Sequence, residues 1–542
     1  MKKTKSLSKG RTGIFGLKSA GICGIIMLVM ALAACNFSPP DTKPTVSNNS
    51  TSLTRTEQLA LLKTQDNNKI SMDKLETIVT KTLATPGGRS VASAGSTITG
   101  VKKLSLDEKH FTLSGSARSA LGIAEEEPVE VYEFAVGSAD NENEGFVLAS
   151  NDVRIGTILA IAEGSLEDAN ENFVGVLSAN LNDYIAATIL EYSRITEAEI
   201  EAAIAKIEGT EEARAVVTEY DPSNVFNSPG WSVMIINTDF AIQKGPMLKT
   251  KWGQGTPGTY TSNADGNYVY NNYVMYDHGN MNHITGCGPT AVAQIVAYHN
   301  YISPTAPYKP SAFPSSLSSS LGTWKGGWAT TKPFDTIRNL PTITNTSSDA
   351  ARGQVAALMY QIGKLMPNIN YQNKLTTHYT SDASAAFLAM GYNNTVSQSA
   401  TGVTTSYNAS SSTHTFTITH YITPATIKNA LNVNRPIYID GIPSTGGIGH
   451  AWVIDGHGQM TSYIEILTHP DYPPSNGGRT SRQITLTDCL MVYCNLGWNG
   501  QANGWYVYGI FDTNRRYLLG DDDTRRSQNY STNTLIIIPT KP

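Results

Sequence analysis

The sequence predicts an α+β chain with two folded regions behind an export segment. Three observations carry that expectation. Apolar residues recur at helical spacing in some stretches and as short strand-like runs in others. The 542 residues exceed one ordinary core. Composition also shifts near residue 226, with every Trp lying beyond that point in a stretch rich in Tyr, Gly, Asn, Ser and Thr. Hydrophobic residues at 40% and charged residues at 16% fit globular structure rather than disorder. A net charge of −5 offers no basic field for nucleic acid. With no Cys/His cluster at zinc spacing, no metal is expected.

The N-terminus reads as an export signal over 1–34. Lys2, Lys3, Lys5, Lys9, Arg11 and Lys18 precede an apolar run from Ile22 to Ala34, which is short for a membrane span. Its end, Leu32-Ala33-Ala34-Cys35, resembles a bacterial lipobox, in which the cysteine becomes a lipidated first residue. Lipid on Cys35 would make the membrane a partner. Residues 35–65, rich in Ser, Thr, Pro and Asn, read as a flexible tether.

A first folded region is expected over 66–225. Met72, Leu75, Ile78, Val79 and Leu83 fall on a helix face. Strand-like runs follow at Val129–Val136, Gly145–Ala149 and Ile155–Ala162, and Asp183–Ile204 reads as a helix. The region has one histidine, His110, and no cysteine, so nothing in it looks catalytic. Residues 226–247 read as a linker with few charges. Beyond them, Thr401–Thr419 reads as a loop or exposed hairpin.

Five cysteines occur: Cys23, Cys35, Cys287, Cys489 and Cys494. Cys489 and Cys494 bracket a strand-like run, and five extended steps span roughly 17 Å, too far for a disulfide. Cys287 is therefore expected as a free thiol. It opens Cys287-Gly288-Pro289-Thr290, and Pro289 suits a first helical turn. Val292, Ile295, Val296 and His299 then share one face. Free N–H groups at a helix start favour thiolate, and Gly286 and Gly288 would keep side chains off the sulfur. Buried structural cysteine is the competing reading.

His450 follows a glycine-rich turn ending in Gly449 and enters a strand-like run, Ala451-Trp452-Val453-Ile454-Asp455. A Cys at a helix start with a distant His on a strand is the arrangement of papain-like nucleophilic catalysis. Asn495 can hold the second ring nitrogen of His450, and Trp498 can cover that bond from water. Gln254, in Trp252-Gly253-Gln254, can donate to an oxyanion together with the Cys287 N–H.

These motifs, in the order Gln254, Cys287, His450, Asn495/Trp498, resemble the streptopain family of secreted bacterial cysteine peptidases. The resemblance covers 248–542. It implies a papain-like, two-lobed peptidase acting on protein or peptide substrates without a cofactor. Val131-Tyr132-Glu133-Phe134 and Gly145–Arg154 resemble that family's inhibitory propeptide, which implies a zymogen whose own first region is an intramolecular partner, matured by cleavage between about residues 215 and 248, with the activation region in the 226–247 linker. Two departures stand out. Leu496 replaces a Trp of the family's pattern, and Cys494 and an insertion between Gly458 and Thr487 lie near the expected site. A lipid-anchored binding protein on an inactive peptidase fold, or a Cys–His acyltransferase, would carry the same residues. Retention of all four polar side chains speaks against an inactive fold.

Overall fold

The computed structural model describes residues 53–63, 68–105, 129–208, 231–254, 267–299, 337–399, 403–408, 413–418, 423–441, 449–468, 481–511 and 535–540, apart from a few single positions within them. The signal segment, Cys35 and His110 lie outside the described residues.

Helix α1 (Arg55–Leu62) opens the described chain on a capping box, with Thr54 and Glu57 bonded reciprocally. It corrects the tether expected up to residue 65. Leu59, Leu61 and Leu62 are buried, and Glu57 pairs with Lys206. Helix α2 (Met72–Leu83), capped by Ser71, buries Leu75, Ile78, Val79 and Leu83, the face expected from spacing. Strands β1 (Thr97–Lys103), β2 (Val131–Gly137), β3 (Gly145–Ser150) and β4 (Ile158–Glu163) follow.

Helix α3 (Glu171–Ser193) and helix α4 (Glu197–Glu208) occupy the stretch read as one helix. A second reciprocal pair, Thr196 with Glu199, starts α4 and explains the break. Next comes β5 (Trp231–Lys244), where a linker was expected. It pairs antiparallel with most of a later strand, and Phe240 is fully buried against Trp505, so this segment is part of the core.

The remaining helices are α5 (Asn267–Asp277), α6 (Cys287–His299), α7 (Asp349–Lys364), α8 (Thr380–Ala389) and α9 (Pro424–Asn432). The remaining strands are β6 (Asn370–Gln372), β7 (Leu375–Thr377), β8 (Asn393–Ser399), β9 (Val403–Asn408), β10 (Thr413–Ile418), β11 (Ile437–Gly441), β12 (His450–Thr468), β13 (Ser481–Asn495), β14 (Gly504–Val507) and β15 (Leu535–Thr540). β9 and β10 form a hairpin, one of the two forms expected for Thr401–Thr419. Cys489 and Cys494 lie along one strand, β13, with no disulfide between them, as the spacing implied. The inserted stretch after Gly458 continues the β12–β13 ladder.

One antiparallel sheet runs in the order β1-β2-β3-β4-β14-β13-β12-β11-β15-β8, with β5 also on β12. The join between the first region and the rest is β4 on β14, with Trp505 opposite Ile161. A shared apolar cluster covers that join, running from Leu59 and Phe173 to Trp452 and Trp505. A second cluster, built on Trp252 and helices α5 to α8, forms the helical side. The mixed helix-and-sheet class read from the sequence is the class observed.

Candidate active site

Cys287 is the first residue of α6, as expected, and the loop before it is tied at several points. Thr285 N–H donates to Asn271 Oδ1 at 2.8 Å, and Thr285 Oγ1 donates to the Tyr270 carbonyl at 2.8 Å. Gly286 has φ of 93°, a conformation that favours glycine, and any Cβ there would press on Thr376. A Cβ on Gly288 would meet the His378 ring. The two glycines thus admit protein neighbours, a role not foreseen from their place beside the sulfur.

Cys287 is 8% exposed. Burial pushes the Cys287 thiol up to about 11, partly offset by N–H groups of Ala451 and Gly288, with the Asp440 charge raising it further. The helix start alone led us to expect a lowered value. Loss of hydration outweighs the N–H groups here.

His450 begins β12 and is 2% exposed. Burial lowers its imidazole to about 4, against a bond to Leu496 that favours the charged form. Nε2 lies 2.9 Å from the Leu496 carbonyl oxygen. A carbonyl only accepts, so Nε2 carries the proton and Nδ1 is the basic nitrogen. Trp452 and Trp498 stack on the ring at centroid distances of 5.9 and 5.5 Å. Phe173 of α3 closes an edge at 6.0 Å. Trp498 thus stacks on the imidazole itself, whereas the sequence suggests that it covers a bond between Asn495 and His450.

Asn495 is a correction of role. Its Nδ2 donates to the Thr250 carbonyl at 2.6 Å, and its Oδ1 accepts from Gln294 Nε2 at 3.1 Å. Those buried partners use the amide, and the adjacent Leu496 carbonyl takes the histidine instead. Gln254 is buried nearby on the same scaffold, its N–H donating to the Gly497 carbonyl at 3.2 Å. Gly449 is described at the entrance to β12.

Residues 265–506 match the model of the Peptidase C10 family. This stretch belongs to that family, the streptopain family. The C10 match includes Cys287, His450, Asn495 and Trp498, and it makes the chain a cysteine peptidase; Gln254 lies just before it. Among solved structures, a mutant fragment of prointerpain A from Prevotella intermedia aligns at 16% identity and a TM-score of 0.35, over 78% of this chain and 98% of its own. A TM-score of that size adds no weight to the fold. No curated protein matches the chain.

Two features of this C10 site were missed in the sequence. Gln294 sits two turns after Cys287 and bridges three elements: Oε1 accepts the Trp252 N–H at 3.1 Å while Nε2 reaches Asn495. Its signal was a glutamine seven positions after the cysteine on an otherwise apolar helix. The second is a half-buried chain of hydrogen bonds close to Cys287. His378 Nε2 lies 2.8 Å from the Tyr438 hydroxyl, which donates to Asp440 Oδ2 at 3.1 Å, while Thr380 Oγ1 donates to both Asp440 oxygens. Burial lowers His378 to about 4 and raises Asp440 to about 7. Tyr438 and Asp440, two apart on β11, were its legible signal.

His457 is remote from this site. It lies seven residues along β12, roughly 23 Å of strand, and its Nε2 pairs with Asn432 Oδ1 at 2.9 Å.

Proposed function

We propose that the chain is the precursor of an exported cysteine endopeptidase, held inactive by its first region. The observation that carries this reading is the contact of Phe173 with a fully enclosed His450. With the thiol pushed up and the imidazole pushed down, both groups are neutral near pH 7. Removing α3 would admit water and substrate to the pair.

In the opened site Cys287 is the nucleophile. His450 Nδ1 takes the thiol proton as the sulfur attacks the peptide carbonyl, and the carbonyl electron pair moves onto oxygen. The Cys287 N–H and the Gln254 amide are the oxyanion donors in this scheme. Collapse breaks the C–N bond, and His450 returns the proton to the leaving amine. Water, deprotonated by His450, then attacks the thioester; collapse releases the acid, and the thiol recovers the proton from His450. The Leu496 carbonyl keeps Nε2 protonated throughout.

The first region would leave by a cut outside Trp231–Lys244, because a peptidase takes its substrate as an unpaired strand and this segment is paired. The lipobox-like end at Cys35 supports an anchor on the precursor, so the same cut would release the catalytic part. Purified precursor, with and without Cys287→Ala, tests the reading by N-terminal sequencing of fragments and casein hydrolysis. Conversion and hydrolysis should require Cys287. Equal hydrolysis by the variant would refute it. A Cys35→Ser chain that still partitions into detergent would refute the anchor alone.

A further inference from the structure

Asp455 lies five residues after His450 on β12, fully buried, and takes no part in the proton transfers above. Its Oδ2 accepts the Leu248 N–H at 2.7 Å and the Met247 N–H at 2.9 Å. Its backbone carbonyl also accepts from Met247, at 3.1 Å. Apart from its own N–H, these are the donors its carboxylate has among the described residues, and Oδ1 meets none. A buried carboxylate this short of partners is held almost entirely by the two N–H groups of one segment.

That segment leads to Gln254. Beyond Leu248 it is fastened at successive points. The Thr250 carbonyl accepts from Asn495 at 2.6 Å, and the Lys251 N–H donates to the Pro341 carbonyl at 2.6 Å. The Trp252 N–H donates to Gln294, and the Gln254 N–H to Gly497. Asp455 holds its start, and farther along the Glu163 carboxylate accepts from Lys251 Nζ. One strand therefore carries both His450 and the anchor of the arm that delivers Gln254.

We infer that Asp455 is a positioning residue, which anchors the Met247–Gln254 arm and through it places Gln254 for the oxyanion. The inference rests on the oxyanion role given to Gln254 above. It separates two reactions of Cys287. Peptide hydrolysis passes through an oxyanion, whereas alkylation by iodoacetamide forms none.

Variants are matured with affinity-tagged wild-type enzyme, which is then removed, and both reactions are followed. Gln254→Ala should lower kcat about 10²-fold, the usual loss for one oxyanion donor. Asp455→Asn should lower kcat about tenfold or more, with KM and the alkylation rate within about twofold of wild type. The double variant should be no slower than Gln254→Ala, because the anchor acts through that side chain. Leu248→Pro removes the nearer donor, leaves Asp455 in place, and should give the same division between the two reactions. Multiplying losses in the double variant, or alkylation falling in step with hydrolysis, overturns the anchor. Wild-type kcat in Leu248→Pro overturns it even if Asp455→Asn does not fold. Wild-type kcat in Gln254→Ala overturns the oxyanion role itself, and the inference with it.

Discussion

Phe173 meets the ring of His450 edge-on, with centroids 6.0 Å apart and the planes at 68°. Trp452 and Trp498 already cover the flat faces of that imidazole, so the phenyl ring from α3 completes its enclosure. The first region thus touches the base directly, at a residue with no chemistry of its own.

Phe173→Ala should weaken the closure. Deleting a buried phenyl ring costs about 3–5 kcal/mol, and about 3 kcal/mol corresponds to a roughly hundredfold larger open fraction. Iodoacetamide labelling of Cys287 in uncleaved precursor, checked by intact mass, should accelerate accordingly. Unchanged labelling would place the closure elsewhere than α3.

His450→Ala should lower peptide hydrolysis by about 10²–10⁴-fold, the range for a lost general base. His457→Gln should retain activity, because its ring pairs with Asn432 away from the thiol. Asn495→Ala should act differently from a lost base. It strips partners from Gln294 and the Thr250 carbonyl, so thermal stability should fall by about 1–3 kcal/mol. A folded Asn495→Ala protein of unchanged stability would contradict that structural role.

Much of the site was legible because its residue types sit in unusual local settings. A free cysteine followed by Gly-Pro and an apolar helix face led to the start of α6, and a histidine after glycines led to the start of β12. What could not be read was which neighbour each polar group would choose. Asn495 and the Leu496 carbonyl are adjacent, and only the approach of Gln294 and Thr250 decides that the carbonyl takes His450. The thiol was misjudged for a similar reason, since helix-end N–H groups are local but burial by distant elements is not. The same holds for β5, whose alternative to a linker is an edge more than 200 residues further on.

The pH response of Cys287 gives a third test. Its thiol is raised to about 11 in the intact chain, so the reactive thiolate is scarce at neutral pH and grows as pH rises. Alkylation of freshly prepared precursor in the cold should therefore climb about tenfold per pH unit from 7 to 10, with no plateau. Once the first region is removed, hydration and the His450 partner favour thiolate, and the plateau should move to lower pH. A plateau below pH 8 in intact precursor would show that the thiol is not held neutral.

Glu163, at the end of β4, reaches across to the catalytic side at several points. Its carboxylate accepts from Lys251 and from the Tyr493 hydroxyl, the latter at 3.2 Å. Its backbone N–H donates to the Asn503 carbonyl at 2.8 Å, and its carbonyl accepts from Ala502 at 2.8 Å. Lys251 belongs to the arm that carries Gln254, so the first region holds that arm as well as the base. The two charged side chains are 38% and 20% exposed, which keeps the ion pair modest and open to screening. Exposed pairs contribute about 0–1 kcal/mol, so Glu163→Gln should speed conversion of the precursor by up to about fivefold at low salt. The backbone pairing survives the change, and the excess should vanish near 1 M salt, where the screening length is about 3 Å. Conversion rates are read from the loss of full-length chain over time. Equal rates for variant and wild type at low salt, or an excess that persists at high salt, would show that the charge pair does not restrain activation.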